Sequence, residues 1–465
     1  MISSFALGSL LKYVVIQNQK GRVGSMRRSA CMHSLSILII SALIFTGCAA
    51  TYHPGSIHEV GFRERAQSKH DEDVRVTVAV LSAEESKELF GVDLARKNIQ
   101  PVWVRVENHD TKSYWLASTG LDPDYFSPLE AAYVFHSGYS EATREDMDDY
   151  FQHMKFKNPI VPNAAVSGFV FTNRDEGLKV VDIDLLSGVE EAKFFTFIVA
   201  VPGIKADYHE VDFDKLYSEE EIVNYDEDGL RKALEELPCC TTNEDGTQKG
   251  DPLNLVLIGS REDIAGAFAR RGWLQAEQTY EKAVAKTIKS YLFGSRYRYS
   301  PVSPLYIYKR QQDFAGQKPR HTVHQRNHLR AWLSPMRFEG KQVWIGQISR
   351  DIGVRFTTEI WPPVTHEIDP DVDEAMFALI EDLIYSQQLA KGGWVKGVGV
   401  STRSNPRRNL TGDPYFTAGY RVVLMFDRRP RSVKEFQFFD WEEGPVSYRI
   451  ERLKTDRRRD YDRQR

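Results

Sequence analysis

Between residues 74 and 201 the chain alternates apolar and polar residues with a period of two. The alternating runs are RVTVAVLS (75–82), PVWVRVEN (101–108), GFVFTN (168–173), LKVVDIDLL (178–186) and FFTFIVAV (194–201). Successive side chains of a strand point to opposite faces, so each run predicts a strand with one buried face. Turn-forming residues separate the runs, with almost no helical pattern between them. The region therefore predicts an antiparallel β-sandwich over residues 60–204.

Residues 205–250 form a strongly acidic segment, with acidic triplets at 219–221 and 226–228. The run DGLRKALEELP (228–238) predicts one helix that ends at its proline, and the polar run 241–252 predicts an exposed linker. The acidic positions do not alternate as an EF-hand calcium loop requires. We therefore expect a solvated acidic hinge in this segment.

The block 251–445 mixes strand and helix patterns. Ser260 and Asp263 have the spacing of a helix N-cap, and Gly272 suits the end of that helix. The predicted strands lie at 253–258, 304–310, 328–335, 341–349, 396–402 and 420–426, and the predicted helices at 264–271, 280–293 and 373–388. Neighbouring strands follow one another like hairpins, which indicates a mainly antiparallel sheet. The fold class predicted for the chain is therefore α+β, a sandwich followed by an α+β domain.

Several segments of this block are similar to the LssY C-terminal domain family. They are DPLNLVLIGS (251–260), RRGW (270–273), SPVSPLYIYKRQQDFAGQK (300–318), NHLRAW (327–332), VWIG (343–346) and THEIDPDVDE (365–374). They agree in order over roughly residues 250–430. In many members this domain follows integral-membrane segments of the DedA or lipid-phosphatase type, whereas here the predicted sandwich precedes it. The resemblance implies an envelope-associated domain and, because the family's activity is not established, assigns no catalytic residue.

Residues 26–47 have the order of a secretory signal peptide. Two arginines precede a short apolar run (35–45), and a Thr-Gly pair precedes Cys48. The apolar run is shorter than the roughly 20 residues that a membrane-spanning helix needs. The sequence around Cys48 resembles the bacterial lipobox, which implies cleavage before this cysteine and its acylation, for example with palmitate. The alternative is an unmodified Cys48 that follows an uncleaved anchor.

The same region predicts a location. Two or more acyl chains attach a protein stably to a membrane, whereas one chain is marginal. Ala49 stands where an Asp would resemble an inner-membrane retention signal. We therefore expect lipid anchoring in a bacterial cell envelope, at the outer membrane and facing the periplasm. Residues 1–25 precede a better start at Met26, which indicates an over-long start.

The charge of the chain bears on its partners. The formal net charge is −4, and residues 1–47 contain five Lys or Arg and no Asp or Glu, so cleavage leaves about −9. An acidic body argues against a nucleic-acid partner, because such binding needs Lys and Arg to neutralise phosphates. The tail 446–465 is locally basic but interleaved with Asp, which predicts a disordered end. A tether to anionic lipid headgroups is the alternative for this tail.

The densest group of possible metal ligands lies in the second block. It comprises His321, His324, His328, His366, Asp369, Asp371 and Asp373. Imidazole and carboxylate groups bind divalent metals that activate water, and His328, His366 and Asp369 are the best candidates for ligands. The alternative is structural, because carboxylates before a helix cap its free N–H groups. No HExxH motif accompanies the histidines.

A second group of residues predicts a binding pocket. Tyr306, Tyr308, Arg310 and Asp313 could line a pocket for an anion or a lipid headgroup. Arg330, on the face of a predicted strand, is a further candidate. The alternative is that the alternating aromatic residues belong to the core.

Cys239 and Cys240 are adjacent in the acidic segment. Adjacent cysteines close only a small ring, so the sequence leaves open a labile disulfide or two thiols in an oxidising periplasm.

No complete catalytic motif is present. Gly397-Val398-Gly399 lacks the third glycine of a dinucleotide fingerprint, and G-x-S-x-G is absent. The sequence therefore predicts a non-enzymatic lipoprotein without a cofactor, which binds or spaces an envelope lipid or protein partner. The alternative is a metal-dependent hydrolase of envelope lipid or phosphate esters.

Overall fold

The computed structural model describes residues 51–188, 191–202, 207–276, 302–319, 326–356, 364–441 and 444. The predicted signal region with Cys48, the helix predicted at 280–293, His321, His324 and the basic tail lie outside the described residues. No helix in the described ranges is long and apolar enough to cross a membrane.

Seven strands of the first block form two antiparallel sheets. They are β1 Gln67–Asp71, β2 Val74–Val80, β3 Ile99–Asn108, β4 Trp115–Leu116, β5 Ala164–Asn173, β6 Gly177–Ser187 and β7 Glu191–Val201. One sheet has the strand order β1-β2-β3-β5 and the other β4-β6-β7. Val78 of the first sheet and Phe197 of the second are fully buried in one shared apolar core. The alternating valines thus form one inner face of a sandwich.

Four helices lie between these strands. They are α1 Ala83–Phe90, α2 Ser118–Leu121, α3 Pro128–Tyr133 and α4 Glu141–Met154. Ser82 and Glu85 form a capping box at the start of α1. Phe90 of α1 and Phe151 of α4 pack with ring centroids 4.9 Å apart. Through Phe90 and Phe151, α1 and α4 therefore cover the outer face of the first sheet with an aromatic layer.

The second block is built on one long, mainly antiparallel sheet. The strands from here on are β8 Val223–Tyr225, β9 Cys240–Thr242, β10 Lys249–Pro252, β11 Leu255–Ile258, β12 Leu274–Gln275, β13 Tyr306–Ile307, β14 Arg310–Gln311, β15 Phe314–Pro319, β16 Arg326–Phe338, β17 Lys341–Phe356, β18 Val364–Ile368, β19 Leu389–Lys396, β20 Arg407–Arg408, β21 Pro414–Tyr415, β22 Tyr420–Phe426 and β23 Gln437–Phe438. The main path is β12-β15-β16-β17-β11-β22-β19-β23. The prediction of an α+β chain is confirmed.

Three helices cover the two faces of this sheet. They are α5 Glu227–Glu235, α6 Arg261–Arg270 and α7 Val372–Ile384. Ile264 of α6 and Leu379 of α7 pack into one core together with Leu257, whereas Leu234 of α5 packs with Val256 into the core of the opposite face. Successive residues of β11 therefore supply both cores, as expected of a strand buried on both sides.

The acidic segment predicted as a solvated hinge folds onto the second block. β8 lies parallel to β16. Leu230 and Leu234 of α5 are 0% exposed, because their spacing of four gives the helix one apolar stripe and leaves its acidic residues in water. The run predicted as a linker contains β9 and β10, which pair antiparallel. The strand predicted at 396–402 lies earlier in the chain, as β19. It ends at Lys396, and the next residue, Gly397, has a φ of 127°.

A buried ion pair joins the sandwich to the second block. Arg270, the last residue of α6, donates from Nε to Asp182 at 2.5 Å and from Nη2 to Asp184 at 2.6 Å. Both aspartates lie on β6 and are at most 9% exposed. Burial and the charge of Asp182 raise the pKa of Asp184, while Arg270 opposes that shift. The two blocks thus share a charged contact that water does not reach freely.

Candidate functional site

A row of buried polar side chains runs across β16 and β17. Alternate residues of a strand share a face, and facing residues of the two strands pair, so one side of the sheet collects them. The row consists of Arg326, His328, Arg330, Gln347, Ser349 and Asp351, each at most 6% exposed. We call these six residues the polar ladder. His328 faces Ser349 and Arg330 faces Gln347 across the two strands.

Asp351 is the centre of the ladder. Arg326 donates from Nε to its Oδ2 at 2.9 Å, and Nδ1 of His328 lies 3.1 Å from Oδ1. Nδ1 of His366, on β18, lies 3.6 Å from Oδ2. Burial opposes ionisation of Asp351, but the charges of His328, His366 and Arg326 outweigh it and hold its pKa well below the usual range.

The ladder brings together two of the three predicted metal ligands, around a carboxylate that the sequence did not indicate. Asp369 instead accepts from the backbone N–H of Asp371 at 3.0 Å, in the turn before α7. Asp373 accepts from Thr417 and Ala418, each at 2.7 Å. Within the described ranges, no group of three or more His, Cys, Asp or Glu is arranged to hold a metal ion.

Ser349, His328 and Asp351 also stand in the order of a hydrolase triad. Nε2 of His328 lies 2.8 Å from Oγ of Ser349, and Gln347 donates to the same Oγ at 2.8 Å. A nucleophile must reach its substrate, however, and Ser349 lies within a strand and is 1% exposed. In this conformation the ladder joins β16 to β17 through hydrogen bonds and ion pairs between its own side chains.

A cleft lies farther along β16, beside Trp332 to Met336. Its volume is about 550 Å³. The wall residues include Tyr217, Tyr225, Tyr308, Arg310, Trp332 and Met336. We call this site the aromatic cleft. Its size and its mainly apolar lining with few polar groups are typical of sites for small ligands.

Arg310 is the basic residue in the wall of the aromatic cleft. Its Nη2 donates to Oδ2 of Asp313 at 3.1 Å and to the carbonyl of Leu333 at 2.7 Å. The guanidinium also lies over the ring of Tyr217, 5.6 Å from the centroid. Tyr217 in turn donates to the Leu333 carbonyl at 2.8 Å. The cation is therefore held in one position by three groups: the Asp313 carboxylate, the Leu333 carbonyl and the Tyr217 ring.

Asp313 lies behind Arg310 and is 1% exposed. It accepts from the backbone N–H of Leu333 at 2.7 Å. Burial raises its pKa to about 6, against the opposing charge of Arg310. This carboxyl therefore titrates closer to neutrality than an exposed aspartate does.

The rim of the cleft contains an unusual turn. Tyr308 and Lys309 connect β13 to β14 with φ of 52° and 65°. A two-residue turn with both φ positive normally takes Asn-Gly, and residues with side chains are strained there. Tyr308 is nevertheless 72% exposed. Such strain is concentrated at functional sites, which makes the turn part of the candidate site.

Not all predicted binding residues lie at the cleft. Arg310 and Tyr308 line it and Asp313 supports Arg310. Arg330 instead belongs to the polar ladder, where it donates to Gln347 at 2.8 Å and burial lowers its pKa. Tyr306 pairs with β9 and is not part of the lining.

The structure also shows residues that the sequence did not indicate. Tyr217 and Tyr225 come from the acidic segment, and Trp332 from the middle of β16. The only local signal was the apolar stripe of α5, which required a partner surface. Cys239 and Cys240, left open above, are joined by a disulfide immediately after this helix.

Comparison with known families identifies the second block. Residues 231–420, somewhat less than half of the chain, match the sequence model of the family described as LssY C-terminus. No curated protein matches the chain significantly. The matched range begins in α5 and includes both the polar ladder and most of the aromatic cleft, while the sandwich lies before it. Residues 231–420 are therefore similar to the LssY C-terminus family, which confirms the resemblance seen in the sequence.

Proposed function

We propose that this protein is a lipid-anchored component of a bacterial cell envelope, in which the LssY C-terminal domain is a binding module. The observation that carries the proposal is the aromatic cleft, with its three tyrosines, Trp332 and the fixed cation Arg310. The ligand it would take is an envelope lipid or a segment of an envelope protein. The sandwich would act as a spacer or second binding surface.

The anchoring part of the proposal rests on the sequence around Cys48. It is tested with Cys48→Ser, which is expected to abolish acyl labelling and to leave unprocessed precursor in the cell. Cys31→Ser, in the same signal region, is the matched control and should be processed like the wild type. Normal cleavage and fractionation of Cys48→Ser would overturn the lipoprotein proposal.

The binding part is tested by filling the cleft. Ala233 of α5 lines it, so Ala233→Trp should occupy the space, whereas Lys232→Trp adds the same ring on the exposed side of the helix. Native mass spectrometry of the full chain from its host membrane should show bound lipid or peptide with Lys232→Trp and none with Ala233→Trp. Equal occupancy of the two variants would exclude the cleft as the binding site.

The alternative function, a metal-dependent hydrolase, rests on the two histidines that meet at Asp351. It requires a stoichiometric divalent metal in the native mass spectrum that disappears in His366→Ala. It also requires loss of phosphoesterase activity in that variant. A binding module without a metal would lose at most stability.

A further inference from the structure

Three arginines surround the aromatic cleft, and all three donate to backbone carbonyls of residues that line it. Arg310 lies in the wall itself and bonds Leu333. The other two, Arg337 and Arg421, lie behind the wall. This arrangement deepens the proposed function, on which the following inference rests.

Arg337 follows the irregular pairing of β16 and β17 at the cleft. Its Nη1 donates to the carbonyls of Ser334 at 3.1 Å and Met336 at 2.9 Å, and both of these residues line the cleft. Burial lowers the pKa of its guanidinium, and Tyr217 of the cleft opposes that shift. The charge of Arg337 is therefore partly desolvated beside the cleft.

Arg421 is fully buried, with 0% exposure. Its Nη2 donates to the carbonyls of Leu237 at 2.9 Å and Pro238 at 2.7 Å, just beyond α5. In the described part of the chain its Nε has no hydrogen-bond acceptor. Burial lowers its pKa to about 10, and Tyr308 of the cleft opposes that shift. Gly397 packs so closely on the guanidinium that a Cβ there would lie 2.0 Å from Nη1.

The charges around the cleft do not balance. Among the described residues, neither Arg337 nor Arg421 forms an ion pair with a carboxylate; only Arg310 has one, Asp313. Glu236 is the one acidic residue in the lining. A buried guanidinium without a counter-ion is costly, and backbone carbonyls supply only partial charges. Fixed cations of this kind favour negative charge in the neighbouring space.

The rest of the lining is apolar. Trp332, Met336 and Ile345 form a floor that a free phosphate ion would not cover. A ligand that satisfies both parts of the cleft needs an anionic group for the arginines and a hydrocarbon part for the floor.

We infer that the aromatic cleft binds the phosphate headgroup and the first part of the acyl chains of an anionic phospholipid. The phosphate would lie against Arg310 and the tyrosine hydroxyls, with the acyl chains over the floor. Charge complementarity favours this occupant, because Arg310, Arg337 and Arg421 around the cleft outnumber Asp313 and Glu236, the two carboxylates named there.

The inference is tested on the full mature chain in uncharged detergent, by calorimetric titration with three probes. These are dihexanoyl-phosphatidylglycerol, dihexanoyl-phosphatidylcholine and glycerol 3-phosphate. The phosphatidylglycerol probe should bind about tenfold more tightly than either of the others. Arg337→Gln should reduce that preference severalfold, whereas Arg231→Gln, which removes a partly exposed guanidinium that pairs with Glu235 on α5, should leave it unchanged.

Each other outcome has one meaning. Equal binding of the two lipids, both abolished by Ala233→Trp, would overturn the anionic preference but keep the cleft as a binding site. Equal binding of glycerol 3-phosphate would overturn the role of the acyl chains. Lipid binding that Ala233→Trp does not affect would overturn the cleft itself, and with it the proposed function. Because Arg337 has no carboxylate partner, its variant is expected to fold, which a thermal melt checks.

Discussion

The polar ladder and the aromatic cleft both include residues of β16, but they differ in how charged side chains are paired. In the ladder, Asp351 is surrounded by one guanidinium and two imidazoles, and the polar side chains bond one another. At the cleft, Arg337 and Arg421 meet only carbonyls. A buried network whose charges are paired makes a fold more specific, whereas buried cations without a carboxylate partner favour negative charge in the neighbouring space. The comparison favours a structural role for the ladder and is consistent with the binding role that we propose for the cleft.

The largest effect is expected from Asp351→Asn, which removes the anion of the ladder. Arg326 would remain buried without its counter-ion, and breaking such a pair costs about 3–5 kcal/mol of unfolding free energy. Urea denaturation of the full chain measures this. Arg337→Gln, which removes a charge that has no partner, should cost much less, and an equal loss in the two variants would break the comparison.

The same variant has a pH signature. The pKa of Asp351 is lower in the folded than in the unfolded chain, so its stabilising contribution is present above its ordinary pKa of about 4 and is lost as pH falls below it. Acid should therefore destabilise the wild type more than Asp351→Asn. Parallel stability curves for the two proteins below about pH 4 would contradict this assignment.

Arg270→Met tests a second buried network of paired charges, at the junction of the two blocks. Asp182 and Asp184 would be left as adjacent buried carboxylates, at a cost of about 3 kcal/mol. The triple variant with Asp182→Asn and Asp184→Asn should regain much of that loss. Thermal melts of the three proteins measure it, and a failure to regain stability would mean that Arg270 acts through packing alone.

Ser349→Ala sharpens the distinction between structure and chemistry. It removes a hydroxyl that bonds both His328 and Gln347, so we expect a loss of about 1–3 kcal/mol. A fluorophosphonate probe should not label the native wild type, because Ser349 is buried. Labelling of the wild type that is absent in Ser349→Ala would show a reactive serine instead.

The sequence revealed some parts of the fold and of the candidate sites and not others. The sandwich and α6 were predictable because alternation and the Ser260 cap are local signals. Arg310 and Tyr308 were identified because a basic and an aromatic residue share a short segment. Asp351 was missed, since a lone Asp late in a strand usually faces water. Its charge is paired by side chains of two neighbouring strands, Arg326 and His328 of β16 and His366 of β18, which the sequence alone does not place around it.

The arginines behind the cleft were missed for a related reason. Their partners are backbone carbonyls, which every residue carries, so no residue type indicates the contact. Arg421 meets Leu237 only because α5 folds against the sheet face below β22. The sequence predicted the acidic segment as a hinge because its charged residues outnumber its buried leucines. The observed fold of the segment depends instead on spacing, because Leu230 and Leu234 lie on one face of α5 and pack against the sheet.

The smallest predicted effect concerns Asp313, the carboxylate that pairs with Arg310. Its pKa is raised to about 6, so it binds its proton more tightly in the folded chain. Its contribution to stability is therefore greatest below its unfolded pKa and declines as pH rises through about 6. Arg310 and Asp207 are the charges that act on it. Protonation frees Arg310 from an anionic partner, which leaves more positive charge for a ligand.

The affinity for dihexanoyl-phosphatidylglycerol should consequently rise severalfold between about pH 7 and about pH 5. In Asp313→Asn the amide keeps the shape but not the charge, so affinity at the higher pH should already equal that of the wild type at the lower pH. Calorimetric titration at both pH values measures this, with dihexanoyl-phosphatidylcholine as the control for general changes in the cleft. If Asp313→Asn keeps the pH dependence of the wild type, another group controls the charge of the cleft. Arg310 would then act as part of a neutral pair like those of the ladder, and only Arg337 and Arg421 would distinguish the two sites.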